Sequence, residues 1–426
     1  MSGTGPLRLT GPLARGGAPR GLLRNRRFWL LWFGGAASQV GDRVHQIAVL
    51  WWALHLAGQL ADAGWILVAQ TVPLVLLAPL GGAIADRYPR RAVMLGCDLG
   101  RAAIAAGLAA LAAGGGLTLP VVLVTTALLG ALTAIFIPAS MAMVPDVVDA
   151  EHLVKAGSLQ EVTLQIATIA GPALGGVLVA AAGTGPAFGL NAASFALSAV
   201  ALAFLGRVPA PAGAAGPRSW RADLRDGLAV AREWPAIGAL LAAFGLSNFF
   251  SAPLLLYLPR YADLFGVGAA GLGFLEAALA AGTLLASFAL LASRDPPGPR
   301  VLAPACLAAI GALMVGLGRV SSYLVFLGGL AAIGFALGAL NVTVLAYFQR
   351  TVPPQRLGRF MGLLTAVVFA APSLGFALAG ALASNTHPGP FVTIQGWCVL
   401  AVATGLAATL ARGFRADSSS SRPTAS

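Results

Sequence analysis

Twelve apolar stretches of about 18 to 30 residues follow one another along this chain, each long enough to cross a hydrocarbon layer about 30 Å thick. A chain so built has few options, because lipid offers a backbone amide no partner and every span must close its hydrogen bonds as a helix or within a sealed barrel. The length of the stretches and the absence of period-two alternation leave the helix. The stretches lie near 28–57, 63–85, 92–113, 118–142, 156–181 and 186–206, then near 236–260, 268–293, 301–318, 321–348, 358–383 and 388–411. Composition agrees: 58% of the 426 residues are hydrophobic and 10% are charged, against about 25% charged in soluble domains. The fold class expected is an all-α integral membrane protein of twelve transmembrane helices.

Charge sets the orientation. All but four of the 27 Lys and Arg fall in segments that share one side of the membrane if the N-terminus is inside. The four are Arg260 and Arg319 in opposite loops, and Arg43 and Arg101 within spans. Positive loops stay cytoplasmic, so both termini are expected in the cytoplasm of a multi-pass inner-membrane protein. The net charge of +12 then records topology, not nucleic-acid binding. Residues 1–27 read as a basic cytoplasmic tail, and the apolar run after Arg27 is too long for a cleaved signal peptide. Residues 412–426, rich in Ser, read as a disordered cytoplasmic tail. Cys97, Cys306 and Cys398 lie in different spans and the four His are dispersed. Neither a disulfide nor a metal site is expected, nor a catalytic constellation of an enzyme.

Residues 207–235 differ in texture. A Pro-, Gly-, Ala- and Arg-rich run precedes a short amphipathic helix over 223–234, with Leu224, Leu228 and Ala231 on one face. It reads as a cytoplasmic linker whose helix lies on the membrane surface. Six spans precede it, in 28–206, and six follow, in 236–411. An internal repeat supports the two halves: Ala170 to Leu178 in span five aligns with Ala370 to Leu378 in span eleven at a constant offset, with five of nine positions identical.

The loop between spans two and three carries Gly82, Asp86, Arg87, Arg90 and Arg91. With that loop, the two parallel halves and twelve spans, the chain resembles the major facilitator superfamily of secondary transporters over residues 28–411. Ile84 and Pro89 depart from the family's Leu and Gly. Gly171, Pro172, Gly175 and Gly176 in span five are similar to the motif of its antiporting exporters, with Ala167 where a further Gly is usual. Gly41-Asp42, the segment Ala134 to Asp146, and Val352-Pro353 followed by Gly358-Arg359 are similar to the enterobactin-exporter-like subgroup. The resemblance implies two pseudo-symmetric six-helix bundles that alternate access to a central site, and export of a small amphipathic drug, siderophore or secondary metabolite. It also implies that the loop latches the cytoplasmic ends of the halves, Asp86 meeting Arg90 and the start of span eleven near Gly358. The Arg-bearing motif of span four found in many proton antiporters is absent, since residues 118–142 contain no charge.

Buried ionisable groups are expensive in a bilayer and so mark candidate functional positions. Asp42 in span one shares a helical face with Ser38, Gln39, His45 and Gln46, and either binds a proton or cationic substrate or forms a structural pair with Arg43. Glu276 in span eight has no basic residue on its own helix, with Thr283 and Ser287 on the same face, which suits binding and release of a proton. A silent carboxylate near the outer interface is the alternative. Glu161 leads a stripe in span five with Gln165 and Thr168, or pairs with cytoplasmic arginines. Asp98 and Arg101, three apart in span three, read as a salt bridge organising the cytoplasmic gate. Asn191, Ser194 and Ser198 in span six, with Asn248 and Asn341, either contact substrate or hold helices together. Trp51, Phe136, Phe249 and Phe250 are candidates for the pocket wall.

The reading is an exporter driven by the proton gradient with no cofactor, a monomer whose partners are its small-molecule substrate and the bilayer. Two rivals stay open: an uptake symporter or uniporter of the same fold, and a membrane scaffold or lipid-handling protein that transports nothing.

Overall fold

The computed structural model describes residues 22–55, 60–206, 220–293, 298–382 and 387–420. Most of the basic N-terminal tail, the Pro- and Gly-rich part of the linker and the last six residues lie outside the described residues. In chain order the helices are α1 (Arg26–His55), α2 (Leu60–Arg87), α3 (Arg90–Ala113), α4 (Leu119–Val147), α5 (Leu153–Ala182), α6 (Thr184–Phe204), α7 (Trp220–Glu233), α8 (Pro235–Ser251), α9 (Leu254–Leu264), α10 (Gly268–Ala292), α11 (Pro299–Leu317), α12 (Tyr323–Thr351), α13 (Pro354–Leu382) and α14 (Gly389–Ser420). Proline opens α8, α11 and α13, a position where its missing N–H has no intrahelical partner to lose. A single residue, Gly183, turns the chain from α5 into α6 at φ +81°, a conformation that favours glycine.

Among the described residues eleven stretches are long and apolar enough to cross a membrane, α8 and α9 forming one, Pro235–Leu264. The twelfth length is α1. It has 30 residues, about 45 Å of helix, but Gln39, Asp42, Arg43, His45 and Gln46 in its middle deny it a purely apolar span. The rest of the bundle compensates by surrounding it.

Helices α1 to α6 pack together, α1 on α5 and α6, α2 on α4, and α3 on α4 and α6. The second half repeats this with α10 on α12, α11 on α12 and α14, and α8 on α13 and α14. The repeat seen in the sequence is a repeated contact. A Cβ on Gly175 of α5 would stand 2.9 Å from the backbone of Val44 in α1, and one on Gly375 of α13 would strike Phe249 in α8. Each half seats its first helix on a glycine of its fifth.

The halves meet mainly through α5 with α10 and α2 with α13. These contacts lie toward the face away from the termini, called here the far face. Gly64 near the start of α2 faces Phe376 and Gly380 near the end of α13, and Gly176 in α5 faces Ala269 and Gly273 near the start of α10. At the terminus face, by contrast, a Cβ on Gly82 of α2, or on Gly358 or Gly362 of α13, would meet no atom within 4 Å.

That parting changes the reading of the loop motif. Asp86 is exposed and makes neither expected contact among the described residues. Arg90 instead donates to Asp146 at 2.6 Å and to the Ala142 carbonyl at 2.9 Å, at the end of α4. Arg91 donates to the carbonyls of Leu202 and Ala203, both at 2.7 Å, at the end of α6. Both arginines thus satisfy C-terminal carbonyls, where a helix dipole favours a cation. Pro89 caps α3 at φ −55°, inside proline's own range, so no glycine is required there.

The linker helix is anchored to the second half. It packs against α13 and α8, with Gly227 and Val230 buried and Leu228 left exposed. Arg359 and Arg356 of α13 pair with Asp226 and Glu233 of α7, each at 2.6 Å. A glycine at 227 lets α7 approach closely, since a Cβ there would stand 3.0 Å from the Arg359 carbonyl and 2.9 Å from Leu363. The interface, more than the half-exposed ion pairs at about 0.2–1 kcal/mol each, holds the helix. Gly227→Leu should therefore expose α7 to limited proteolysis, while Asp226→Asn should leave the cleavage rate near that of the parent protein.

Candidate functional site between the halves

The middle of α1 sends successive residues toward different partners. Gly41 faces α6, where a Cβ would meet Asn191 at 2.7 Å and would overlap Ser194. Arg43 faces α5, where Gly171 leaves room for its Cβ and Cγ. Asp42 is exposed although α1 touches α2, α4, α5, α6, α9 and α10. A helix so enclosed is exposed to the space between the halves, not to lipid.

Behind Asp42 lies a buried ionic cluster. Asp98 and Arg101 of α3 are bonded to each other, with side-chain exposures of 0% and 3%. The Arg101 guanidinium stacks 4.0 Å from the centre of the Phe136 ring on α4 and 4.5 Å from that of Phe195 on α6. Such a sandwich suits a cation stripped of water. Asn191 and Ser198 are the nearby polar groups of α6, and Asp42 lies within electrostatic reach of Asp98, Arg101 and Arg43. The cation missing from span four is thus laid against span four from α3. The salt bridge expected from the spacing of Asp98 and Arg101 is thus formed, buried within the bundle because its register on α3 faces α6.

Glu276 of α10 is buried at 8% exposure, and its Oε1 has no hydrogen-bond partner among the described residues. It was expected to lack a basic neighbour on its own helix. The neighbour comes from the other half: Arg43 of α1 is the charged group near enough to act on it. The span-five glycines create that approach. Gly171 seats Arg43, while Gly176 and Pro172 touch Gly273, one turn before Glu276. A Cβ at 176 would come within 2.5 Å of the Ala269 carbonyl, so even alanine would push the halves apart. Small residues here permit backbone approach, and the approach brings a cation of one half to a carboxylate of the other.

The remaining candidates are scattered. Gln46 accepts from Arg43 at 3.4 Å. Glu161 is exposed on the terminus-side part of α5 and accepts from Gln165 at 3.0 Å. Asn248 donates to Phe244 of its own helix at 2.9 Å, and Asn341 is exposed on α12. Phe249 and Phe250 meet edge to face, and Trp51 is half-buried at the far end of α1. Gly82, Asp86, Arg87, Arg90 and Arg91 lie at the terminus face, remote from Asp42 and Glu276. Sequence reasoning missed the Arg43–Glu276 relation and the aromatic seat of Arg101, because both join helices far apart in the chain. Among the described residues no three His, Cys, Asp or Glu gather as a metal would need.

Removing Arg101 would leave Asp98 buried without its cation. Loss of one partner of a buried pair costs about 3–5 kcal/mol. Arg101→Ala should lower the thermal unfolding midpoint far more than Phe136→Ala, as read by scanning fluorimetry of the purified protein.

Comparison with known proteins bears on the family and the fold. The family described as transmembrane secretion effectors matches residues 18–425. Enterobactin exporters EntS of Shigella boydii serotype 18 and of Escherichia coli O127:H6 are each 30% identical over 334 residues, covering 76% of this chain and 77% of theirs. Among solved structures, the nucleoside transporter NupG superposes with a TM-score of 0.71 at 15% identity, covering 90% of this chain and 98% of that one. A bacterial homologue of the iron transporter ferroportin, in an inward-facing state, gives 0.69 at 20% identity, covering 92% and 99%. These two likenesses concern the fold.

Proposed function

The chain belongs to the transmembrane secretion effector family of major facilitator transporters, and we propose that it exports a small amphipathic molecule in exchange for protons. It is a multi-pass membrane transporter and not an enzyme. The proposed refinement concerns direction, cargo class and coupling. The terminus face is cytoplasmic, in keeping with the distribution of Lys and Arg. The cell membrane then holds the protein with its cytoplasmic side open and its far side closed.

The observation that carries the reading is the crossing of α1, α5 and α10, where Arg43 of one half approaches Glu276 of the other while Asp42, one residue away, opens onto the central space. A cation placed between two carboxylates is a switch. Protonation of Glu276 removes its attraction for Arg43 and leaves Arg43 to Asp42. Solute and proton then compete for the same site: solute entering from the cytoplasmic side displaces the proton, and a proton arriving from the far side displaces the solute, which is an exchange. When the terminus face closes, Asp86 is the residue free to meet the start of α13, which would complete the latch not made in the present arrangement. Similarity to enterobactin exporters supports export over uptake and includes siderophores in the cargo class.

The test is transport into or out of vesicles with an imposed pH gradient, using enterobactin and a lipophilic dye as solutes. Glu276→Gln and Asp42→Asn should each reduce gradient-driven movement about tenfold or more, equivalent to about 1.4 kcal/mol, while solute binding persists. Unchanged transport in both variants would remove the coupling assignment, and uptake driven by the same gradient would reverse the direction.

A further inference from the structure

At the far end of α1, His55 stands between two acceptors. Its Nδ1 lies 3.1 Å from the backbone carbonyl oxygen of Trp51, one turn earlier, and its Nε2 lies 3.1 Å from Oδ1 of Asp263 on α9. The Trp51 ring stacks on the imidazole with centroids 3.9 Å apart, fixing its plane. A neutral imidazole has one N–H and one lone pair. It can donate to the carbonyl or to the carboxylate, and whichever contact it does not make then sets lone pair against lone pair. Both contacts stand together only with one extra proton, carried on the ring or shared with the carboxyl oxygen. Asp263 belongs to the second half and His55 to the first, so this proton bridges the halves on the closed far face.

We propose that His55 and Asp263 form a proton-binding site that latches the far face shut, filled by protons arriving from that side and emptied when the face is to open. The proposal rests on the alternating-access reading above, but not on the coupling roles given to Asp42 and Glu276. The charged groups on the elements around the ring are Asp263 and Arg260 of α9, Asp62 in the first turn of α2, and Glu276 deeper on α10. Among the described residues, Asp263 alone is paired with it. Its side-chain exposure of 36%, with 27% for Asp263, gives the proton a path from outside and limits the strength of the pair.

The consequence for the transport cycle is a defined return step. After solute leaves on the far side, a proton taken up by the parted pair draws α1 and α9 together and commits the protein to reopening on the terminus face.

The experiment measures conformation, not transport. With Cys97, Cys306 and Cys398 replaced, and with Glu276→Gln so that the seam carboxyl cannot contribute to the response, spin labels are attached through Trp65→Cys on α2 and Leu264→Cys on α9, both at exposed positions at the far face. Distances are recorded in substrate-free protein in lipid nanodiscs between about pH 8 and pH 5, the range in which histidine titrates. Acidification should raise the ratio of short to long distances about threefold. His55→Gln and Asp263→Asn should each abolish that response, and His55→Lys, which carries a permanent charge, should keep the short distance at both ends of the range. A ratio independent of pH in the labelled parent would overturn the latch, as would a full response retained in His55→Gln or Asp263→Asn. Since no solute is present, a positive result stands even if the vesicle assay rejects proton-coupled export.

Discussion

Everything at the centre of this protein depends on three helices being allowed to touch. Gly171 and Gly175 of α5 admit α1, and Gly176 with Gly273 admits α10. Without side chains at these positions the backbones approach until dispersion forces act between them, which is the main attraction available where the solvent is itself apolar. The closeness has an electrostatic result. Arg43 and Glu276 come within each other's field only because no methyl group stands between the helices that carry them. A motif that reads as simple packing in the sequence is, in three dimensions, what brings opposite charges together across the seam.

The two halves share a scaffold but not a chemistry. Gly175 and Gly375 perform the same service for α1 and α8, and the repeated Pro172 and Pro372 lie at matching places. Yet the first half holds Asp42 and Arg43 on α1 and Asp98 and Arg101 on α3, while α8, the counterpart of α1, presents the uncharged Asn248, and Glu276 stands on α10, the counterpart of α2. The aromatic seat of Arg101 stabilises a charge that has no water. That leaves Asp42 as the accessible member of the cluster and Glu276 as its counterpart opposite.

How much of this was legible in the sequence follows from physical range. Span number, orientation and the two halves are properties of local composition and of charge along the chain, so hydropathy and Lys/Arg bias reveal them. The twelve stretches correspond to eleven apolar spans and α1. Asp42, Glu276 and the span-five glycines were legible because buried charge and clustered Gly are locally improbable. Their partners were not. Arg43 and Glu276 are 233 positions apart, as follows from their numbers, and nothing in either helix announces the other. The linker helix shows the same limit: its local pattern points to Leu224, Leu228 and Ala231, of which Ala231 packs inward with Gly227 and Val230, while Leu228 is left exposed. Asp86 was assigned contacts with Arg90 and the start of α13 that the described arrangement does not make.

The polarity of α1 bears on how the protein is made. Asp or Arg at the centre of a span disfavours insertion by about 2.5–3.5 kcal/mol each, and Leu, Ile, Phe or Val favours it by about 0.3–0.6. Asp42 and Arg43 together therefore offset the contribution of roughly eight to twenty-three large apolar residues, leaving the first span little preference for lipid. The helices that shelter those charges, α5, α6 and α10, emerge from the ribosome later. The first helix to be synthesised is thus among the last to find its final surroundings, and assembly of this bundle runs partly against the order of its chain.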